Sequence, residues 1–124
     1  MSEKCRQGYY CVIHYIDNWL TLECVCVGVA IFEGNQVVVK VSANTDRVYK
    51  FFGKKAADHV GLFLPCVARG IVNNSRTFAE FNAYRERMAN SFRITEPRSM
   101  SLEFSLEEEI IQMAKDAKVE LTAL

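Results

Sequence analysis

The sequence predicts an α+β domain in which helices cover an antiparallel sheet of about four strands. Most of these strands come from the N-terminal third, which is rich in β-branched and aromatic residues and has Gly and Asn turn signals. Beyond residue 44 the apolar residues recur every three or four positions, as in amphipathic helices. A length of 124 residues, with 50% hydrophobic and 24% charged residues, predicts a single domain over residues 1–124 with a buried core.

Three strands are predicted in the first third of the chain. The first covers Gly8–Ile16, and the second, Leu22–Phe32, is followed by a Gly-Asn turn and a third strand at Val37–Val41. Both alternating faces of the second strand are apolar: Val25, Val27, Val29 and Ile31 on one, and Cys24, Cys26, Gly28, Ala30 and Phe32 on the other. This pattern predicts a central strand covered on both sides. A later short strand is predicted at Phe92–Thr95, before Pro97.

Four helical segments are predicted after the hairpin. A short helix follows a cap at Asn44 or Thr45 and ends at Gly53. The other three are expected over residues 56–71, 77–89 and 105–118, the last beginning with a capping box of Ser105 and Glu108. Gly61 and Pro65 lie inside the second helix, so it is expected to be kinked or divided into two pieces.

Composition excludes several classes of protein. No apolar run approaches the roughly 20 residues of a membrane span, and the polar N-terminus lacks the apolar segment of a signal peptide, so we expect a cytoplasmic protein without membrane contact. Five cysteines, an odd number, then indicate reduced thiols. Fifteen basic residues balance fifteen acidic ones, which argues against nonspecific nucleic-acid binding.

The charge is unevenly distributed along the chain. Residues 40–98 carry eleven basic and five acidic side chains, whereas residues 99–124 carry two and six. Six residues of the basic segment are candidates for binding an anionic ligand: Arg47, Lys50, Lys54, Tyr84, Arg85 and Arg93. Guanidinium groups bind phosphate or carboxylate oxygens, and the neighbouring aromatic rings can stack on a base. The alternative is a solvated helix face, neutralised by the acidic C-terminal helix.

The first two strands resemble a known family. Residues Tyr9–Asp17 and Glu23–Phe32 are similar to the opening of small bacterial and phage proteins of domain-of-unknown-function family three-zero-three-seven, with a local match over residues 9–52 and a looser one at Arg93–Pro97 and the last helix. The chain has His14 and Cys26 where that family usually has Arg and Asn. The resemblance implies a fold more than a reaction. It also implies, from the gene context of some members, partnership with a HipA-type kinase.

The sequence contains no catalytic motif, which favours a protein that is not an enzyme and that needs no cofactor or metal. Cys24 and Cys26 share a strand face, where Cys11 could join them as metal ligands or a reactive site, although the spacing is not that of a zinc motif. A nucleophilic pair could be built from Cys26 or Cys66 with His14 or His59. No oxyanion loop follows any of these cysteines.

Three functions are therefore open. The leading hypothesis is non-catalytic capture of a small anionic, nucleotide-like ligand at the interface of a homo-oligomer, which in a phage would sequester a defence signal. The second is a protein-binding accessory module whose basic face meets an acidic partner. The third is a cysteine-dependent hydrolase. Self-association is expected because apolar surface beyond that of one core usually forms an interface.

Overall fold

Nine strands and helices form the described part of the chain, which in this computed structural model comprises residues 6–18, 20–21, 23–42, 45–88 and 91–116. In chain order they are β1 (Arg6–Asn18), β2 (Glu23–Glu33), β3 (Gln36–Val41), α1 (Asp46–Phe52), α2 (Lys54–Asn73), α3 (Phe78–Arg87), β4 (Phe92–Ile94), β5 (Arg98–Leu102) and α4 (Leu106–Asp116). The predicted α+β class is confirmed. Several predicted boundaries, at Leu22, Asn44, Ala89 and Lys118, lie outside the described residues.

The sheet is antiparallel throughout and has the order β3, β2, β1, with β4 and β5 sharing the far edge of β1. Strand β1 is 13 residues long, so it can pair with β5 along Arg6–Tyr10 and with β4 along Ile13–Tyr15. The β2–β3 hairpin turns at Gly34, whose φ of +60° favours glycine. The predicted late strand is confirmed as β4, and β2 lies centrally between β1 and β3 as expected.

Strand β5 is absent from the sequence-based prediction. Its sequence alternates serine with Met100 and Leu102, which is a strand pattern too short to stand out after Pro97. Leu102 is fully buried against the face of the sheet that packs on α4. Pairing with the long β1 therefore supplies the interactions that make this weak segment a strand.

A β-bulge changes the faces of β2. Ile13 pairs with Gly28 but His14 pairs with Cys26, so Val27 is an extra residue on β2. A Cβ on Gly28 would lie 3.0 Å from both Ile13 Cδ1 and the Lys40 carbonyl oxygen, so this crowded position favours glycine.

The strict alternation predicted for β2 is consequently wrong. Val25 and the bulge residue Val27 belong to the cluster under α2, but after the bulge Ala30 and Phe32 occupy that face. Val29 and Ile31, predicted to share a face with Val25 and Val27, instead pack against α4.

Helix α2 continues through Pro65 as one helix of 20 residues, so the two-piece alternative is wrong. Proline removes the backbone hydrogen bond to the carbonyl four residues earlier, which belongs to Gly61. Both residues are on the exposed side of α2, where water can replace the lost donor. The buried side of the helix, which includes Val60, Leu64, Val67 and Ile71, holds it against the sheet.

The predicted helix ends agree with the structure in several places. Thr45 occupies the N-cap position of α1, and Gly53 ends that helix with a φ of +95°. At the start of α4, Ser105 Oγ accepts a hydrogen bond from the Glu108 backbone N–H at 3.2 Å and donates to the Glu108 carboxylate at 3.0 Å.

The sheet is covered on both faces by apolar side chains. Helices α1, α2 and α3 cover one face with a large cluster that includes Cys11, Ile13, Val60, Ile71 and Phe81. Helix α4 covers the other face with Ile110 and Ala114, packed on Val29, Ile31 and Leu102. Within the described ranges, no helix combines the length and the apolarity required to cross a membrane.

Candidate functional site

The six residues predicted to bind an anion lie on four elements: Arg47 and Lys50 on α1, Lys54 on α2, Tyr84 and Arg85 on α3, and Arg93 on β4. Arg47 lines a groove beside β2. Tyr84 lines a separate pocket between α2 and α3. The structure therefore separates Arg47 from Tyr84, and the other four predicted residues line neither of these two cavities.

The first cavity is created by the end of the β2–β3 pairing. Strand β3 pairs with β2 from Glu33 back to Gly28, and Ser42 donates its backbone N–H to the Val27 carbonyl at 2.8 Å. The stretch Glu23–Cys26 extends beyond that pairing, and α1 lies beside it. The result is a groove of about 530 Å³, here called the β2-edge groove, lined by His14, Glu23, Cys24, Val25, Cys26, Arg47, Phe51 and Phe52.

Aromatic and cationic groups meet in this groove. Arg47 and Phe51 are four residues apart on α1, a spacing that places both side chains on one side of the helix. Phe51 is 60% exposed, whereas the Phe52 ring is anchored 5.8 Å from the ring of Tyr15. A planar ligand therefore has an accessible ring beside a guanidinium group.

His14 lines the groove and has a cationic cross-strand neighbour. It is half-buried, and its register partner on β4 is Arg93. Burial, followed by the positive charge of Arg93, lowers the pKa of the His14 imidazole. An anion bound beside His14 would offset both effects because it stabilises the protonated ring.

The structure brings together one predicted nucleophilic pair but does not activate it. His14 and Cys26 are cross-strand partners, and the Cys26 thiol donates to the Gly28 carbonyl at 3.5 Å. Burial raises the pKa of Cys26, and the lowering effects of the Gly28 backbone and the Arg47 charge are smaller. The thiol is thus held in its protonated, weakly nucleophilic form, which argues against a hydrolase at this position.

The three-cysteine cluster considered from the sequence does not form. Cys11 lies in the core under α2 and α3, on the opposite face of the sheet from Cys26. Its burial raises the pKa of the thiol to about 12. Among the residues that the structure describes, no group of three or more His, Cys, Asp or Glu side chains is arranged to hold a metal ion.

The alternative pair of Cys66 and His59 is also separated. Both lie on α2, seven residues apart, which corresponds to about 10 Å along the helix axis. The Cys66 thiol is exposed and accepts a hydrogen bond from Arg69 at 3.4 Å. The ring of His59 instead packs between Phe63 and Phe92.

The partners of Lys54 and Arg85 are part of the fold. Lys54 forms an exposed ion pair with Asp58 at 2.8 Å, as expected for a solvated helix face. Arg85 donates to the Asn82 side chain at 3.4 Å and to the Ile94 carbonyl at 3.5 Å, which links α3 to β4.

Sequence reasoning missed the contribution of Phe51 and Phe52 to a groove also lined by His14 and Cys26. The sequence identified both rings as neighbours of the basic residues that can stack on a base, but it did not place them in a groove with His14 and Cys26. Helix α1 packs beside β2 where the described pairing with β3 has ended, and this makes its aromatic face one wall of the groove. No local pattern specifies this packing.

No protein-family model, curated protein or solved structure matches this chain. The resemblance to domain-of-unknown-function family three-zero-three-seven therefore stays a prediction.

Proposed function

We propose that this protein binds a small anionic, nucleotide-like ligand in the β2-edge groove and does not transform it. The observation that carries the proposal is the placement of Arg47 and the exposed Phe51 ring on one wall of a groove. An arginine fork suits phosphate oxygens, and an exposed ring stacks on a base. The raised pKa of Cys26 supports binding without nucleophilic attack.

The other side chains of the groove suit the same ligand. Protonation of His14 would add a second positive charge near the anion. Glu23 is exposed at the start of β2, where its carboxylate can accept hydrogen bonds from ribose hydroxyl or base amino groups.

Self-association is part of this proposal. Tyr49 and Phe51 on α1 are 58% and 60% exposed, and Phe51 lines the groove. Apolar surface of this kind is usually covered by a partner. A second copy seated there would close the groove over the ligand, so light scattering should report a dimer or larger species.

The test is a calorimetric titration with a panel of nucleotides and cyclic nucleotides. For the nucleotide that binds, Arg47→Ala should weaken binding by about 1.5–3 kcal/mol, the range for hydrogen bonds to charged groups. Lys54→Ala is the matched control: its ammonium is exposed and already paired with Asp58, so the affinity should stay within about twofold. Unaltered ligand should be recovered after heating, because capture breaks no bond.

A pH titration gives a second readout. Because His14 has a lowered pKa and a bound anion raises it, binding takes up a proton and affinity should increase as pH falls from about 8 to about 5. A cyclic nucleotide is the suitable probe, since its phosphodiester does not titrate in this range. His14→Gln should remove this increase. The charged and titratable neighbours Glu23, Cys26, Arg47 and Arg93 remain in that variant.

The proposal fails if no nucleotide at millimolar concentration binds or raises the melting temperature of the unmutated protein. A protein-binding accessory role, as with a HipA-type kinase, then becomes the leading function. The observation that favours it is the outer side of α2, where Leu62 and Val72 are 68% and 52% exposed. Leu62→Glu should then abolish binding to a purified HipA-type kinase.

A further inference from the structure

We propose that the pocket between α2 and α3 is a second, independent binding site, which takes a compact aromatic carboxylate. It has a volume of about 360 Å³ and is lined by Phe63, Cys66, Val67, Tyr84, Arg87, Met88 and Phe92. This volume is at the lower end of the range for small-molecule sites. It is a different cavity from the β2-edge groove, and the two share no lining residue.

The walls of the pocket are aromatic, and the ring of His59 packs against two of them. Phe63 and Phe92 form two walls. The centre of the His59 ring lies 4.8 Å from that of Phe63 and 5.7 Å from that of Phe92, and it stacks on Phe92 at an interplanar angle of 18°. The Nε2 atom of His59, which is not among the residues that line the pocket, is buried without a hydrogen-bond partner in the described structure. Offset and edge contacts with such walls favour an aromatic ligand.

The third ring of the pocket, Tyr84, depends on a close approach to α2. A Cβ on Gly70 would lie 2.0 Å from the Tyr84 hydroxyl oxygen, so glycine makes room for the ring. The hydroxyl donates to the Val67 carbonyl at 3.4 Å, which places Tyr84 against the helix backbone. The pocket thus has a defined shape on this side.

Positive charge is confined to one part of the pocket. Arg87 lines it, and its charge lowers the pKa of Tyr84, against the larger raising effect of burial. A second guanidinium, that of Arg69, is hydrogen-bonded to Cys66 at the rim. One arginine fork matches one carboxylate, with the aryl group against the apolar walls.

A single negative charge is favoured over a dianionic phosphate. The remaining lining side chains are aromatic or otherwise weakly polar, and burying more charge among them costs desolvation free energy. A monocarboxylate leaves its charged end at Arg87 and buries only its ring.

The chain contains its own reporters for the test. Cys66 is exposed and lines this pocket, whereas Cys24 is exposed and lines the β2-edge groove. Alkylation by iodoacetamide, followed at each cysteine by peptide mass spectrometry, therefore reports on the two sites separately. The probe is 3-phenylpropionate, compared with its neutral amide and with phenyl phosphate.

With the probe at about ten times its Kd, labelling of Cys66 should slow about tenfold, since only the unoccupied fraction reacts. The rate of Cys24 labelling should change by less than about twofold, because the probe does not occupy the β2-edge groove. Arg87→Gln should weaken protection by about tenfold or more. Arg98→Gln, which changes an exposed arginine on β5, should leave protection unchanged. An unchanged melting temperature shows that Arg87→Gln is folded.

The inference is overturned if 3-phenylpropionate at millimolar concentration does not protect Cys66, or if the amide protects as well as the carboxylate. It is also overturned if Arg87→Gln retains full protection. If phenyl phosphate protects Cys66 more strongly than 3-phenylpropionate does, the carboxylate proposal is wrong and the pocket takes an aryl phosphate. None of these results bears on nucleotide binding in the β2-edge groove, which is read at Cys24.

Discussion

Replacing Phe81 by alanine is expected to lower the free energy of unfolding by about 3–5 kcal/mol, the range for deleting a buried phenylalanine ring. Phe81 is 1% exposed, and its ring centre lies 4.6 Å from that of Phe32. It is the one buried residue of α3. Its removal leaves a cavity and also takes away the main attachment of that helix to the sheet.

Urea denaturation measures this loss, with Phe104→Ala as the matched control. Phe104 is 58% exposed, so deleting the same ring should cost less than about 1 kcal/mol. Equal losses in the two variants would contradict the packing described for α3. Because Tyr84, Arg87 and Met88 belong to α3 or its end, Phe81→Ala should also weaken ligand protection of Cys66.

Replacing Ile110 by alanine is expected to cost about 2–5 kcal/mol. Ile110 is fully buried, and with Ala114 it forms the buried side of α4. These residues cover Val29 and Ile31 on the second face of the sheet. Losing this contact leaves an apolar sheet face poorly covered, which adds to the cost of the cavity itself.

The neighbouring residue provides the control. Ile111 is 42% exposed, so Ile111→Ala removes the same atoms from a partly solvated position and should cost less than about 1.5 kcal/mol. The two variants are compared by their denaturation midpoints at equal m values. A cost for Ile111→Ala that matched or exceeded that for Ile110→Ala would mean that α4 packs through a different face.

Local signals predicted most of the secondary structure. The valine-rich hairpin and the Gly34 turn depend on side-chain shape and backbone freedom, which are properties of short segments. Glycine at the end of α1 and the Ser105 capping box act within one helical turn. The sequence could therefore identify these features without knowledge of their neighbours.

Features that depend on distant partners were missed or misjudged. Strand β5 forms because β1 is long enough to pair with a second strand at its N-terminal half. The bulge at Val27 exchanges the faces of β2, next to a glycine whose position has little room for a side chain between Ile13 and the Lys40 carbonyl. Helix α2 passes through Pro65 because burial of its inner side outweighs one hydrogen bond lost on the solvent side.

The candidate sites show the same division between local signals and features that depend on distant partners. Composition and spacing indicated a basic, aromatic region that included Arg47 and Tyr84, because charge and ring content can be counted along the chain. Only the packing of α1 beside the start of β2, and of α3 against α2, assigns those two residues to different cavities. The sequence by itself determined the elements and their chemistry through local backbone and side-chain preferences. The tertiary structure decided which side chains face each other, because a register shift or a helix crossing brings together residues far apart in the chain.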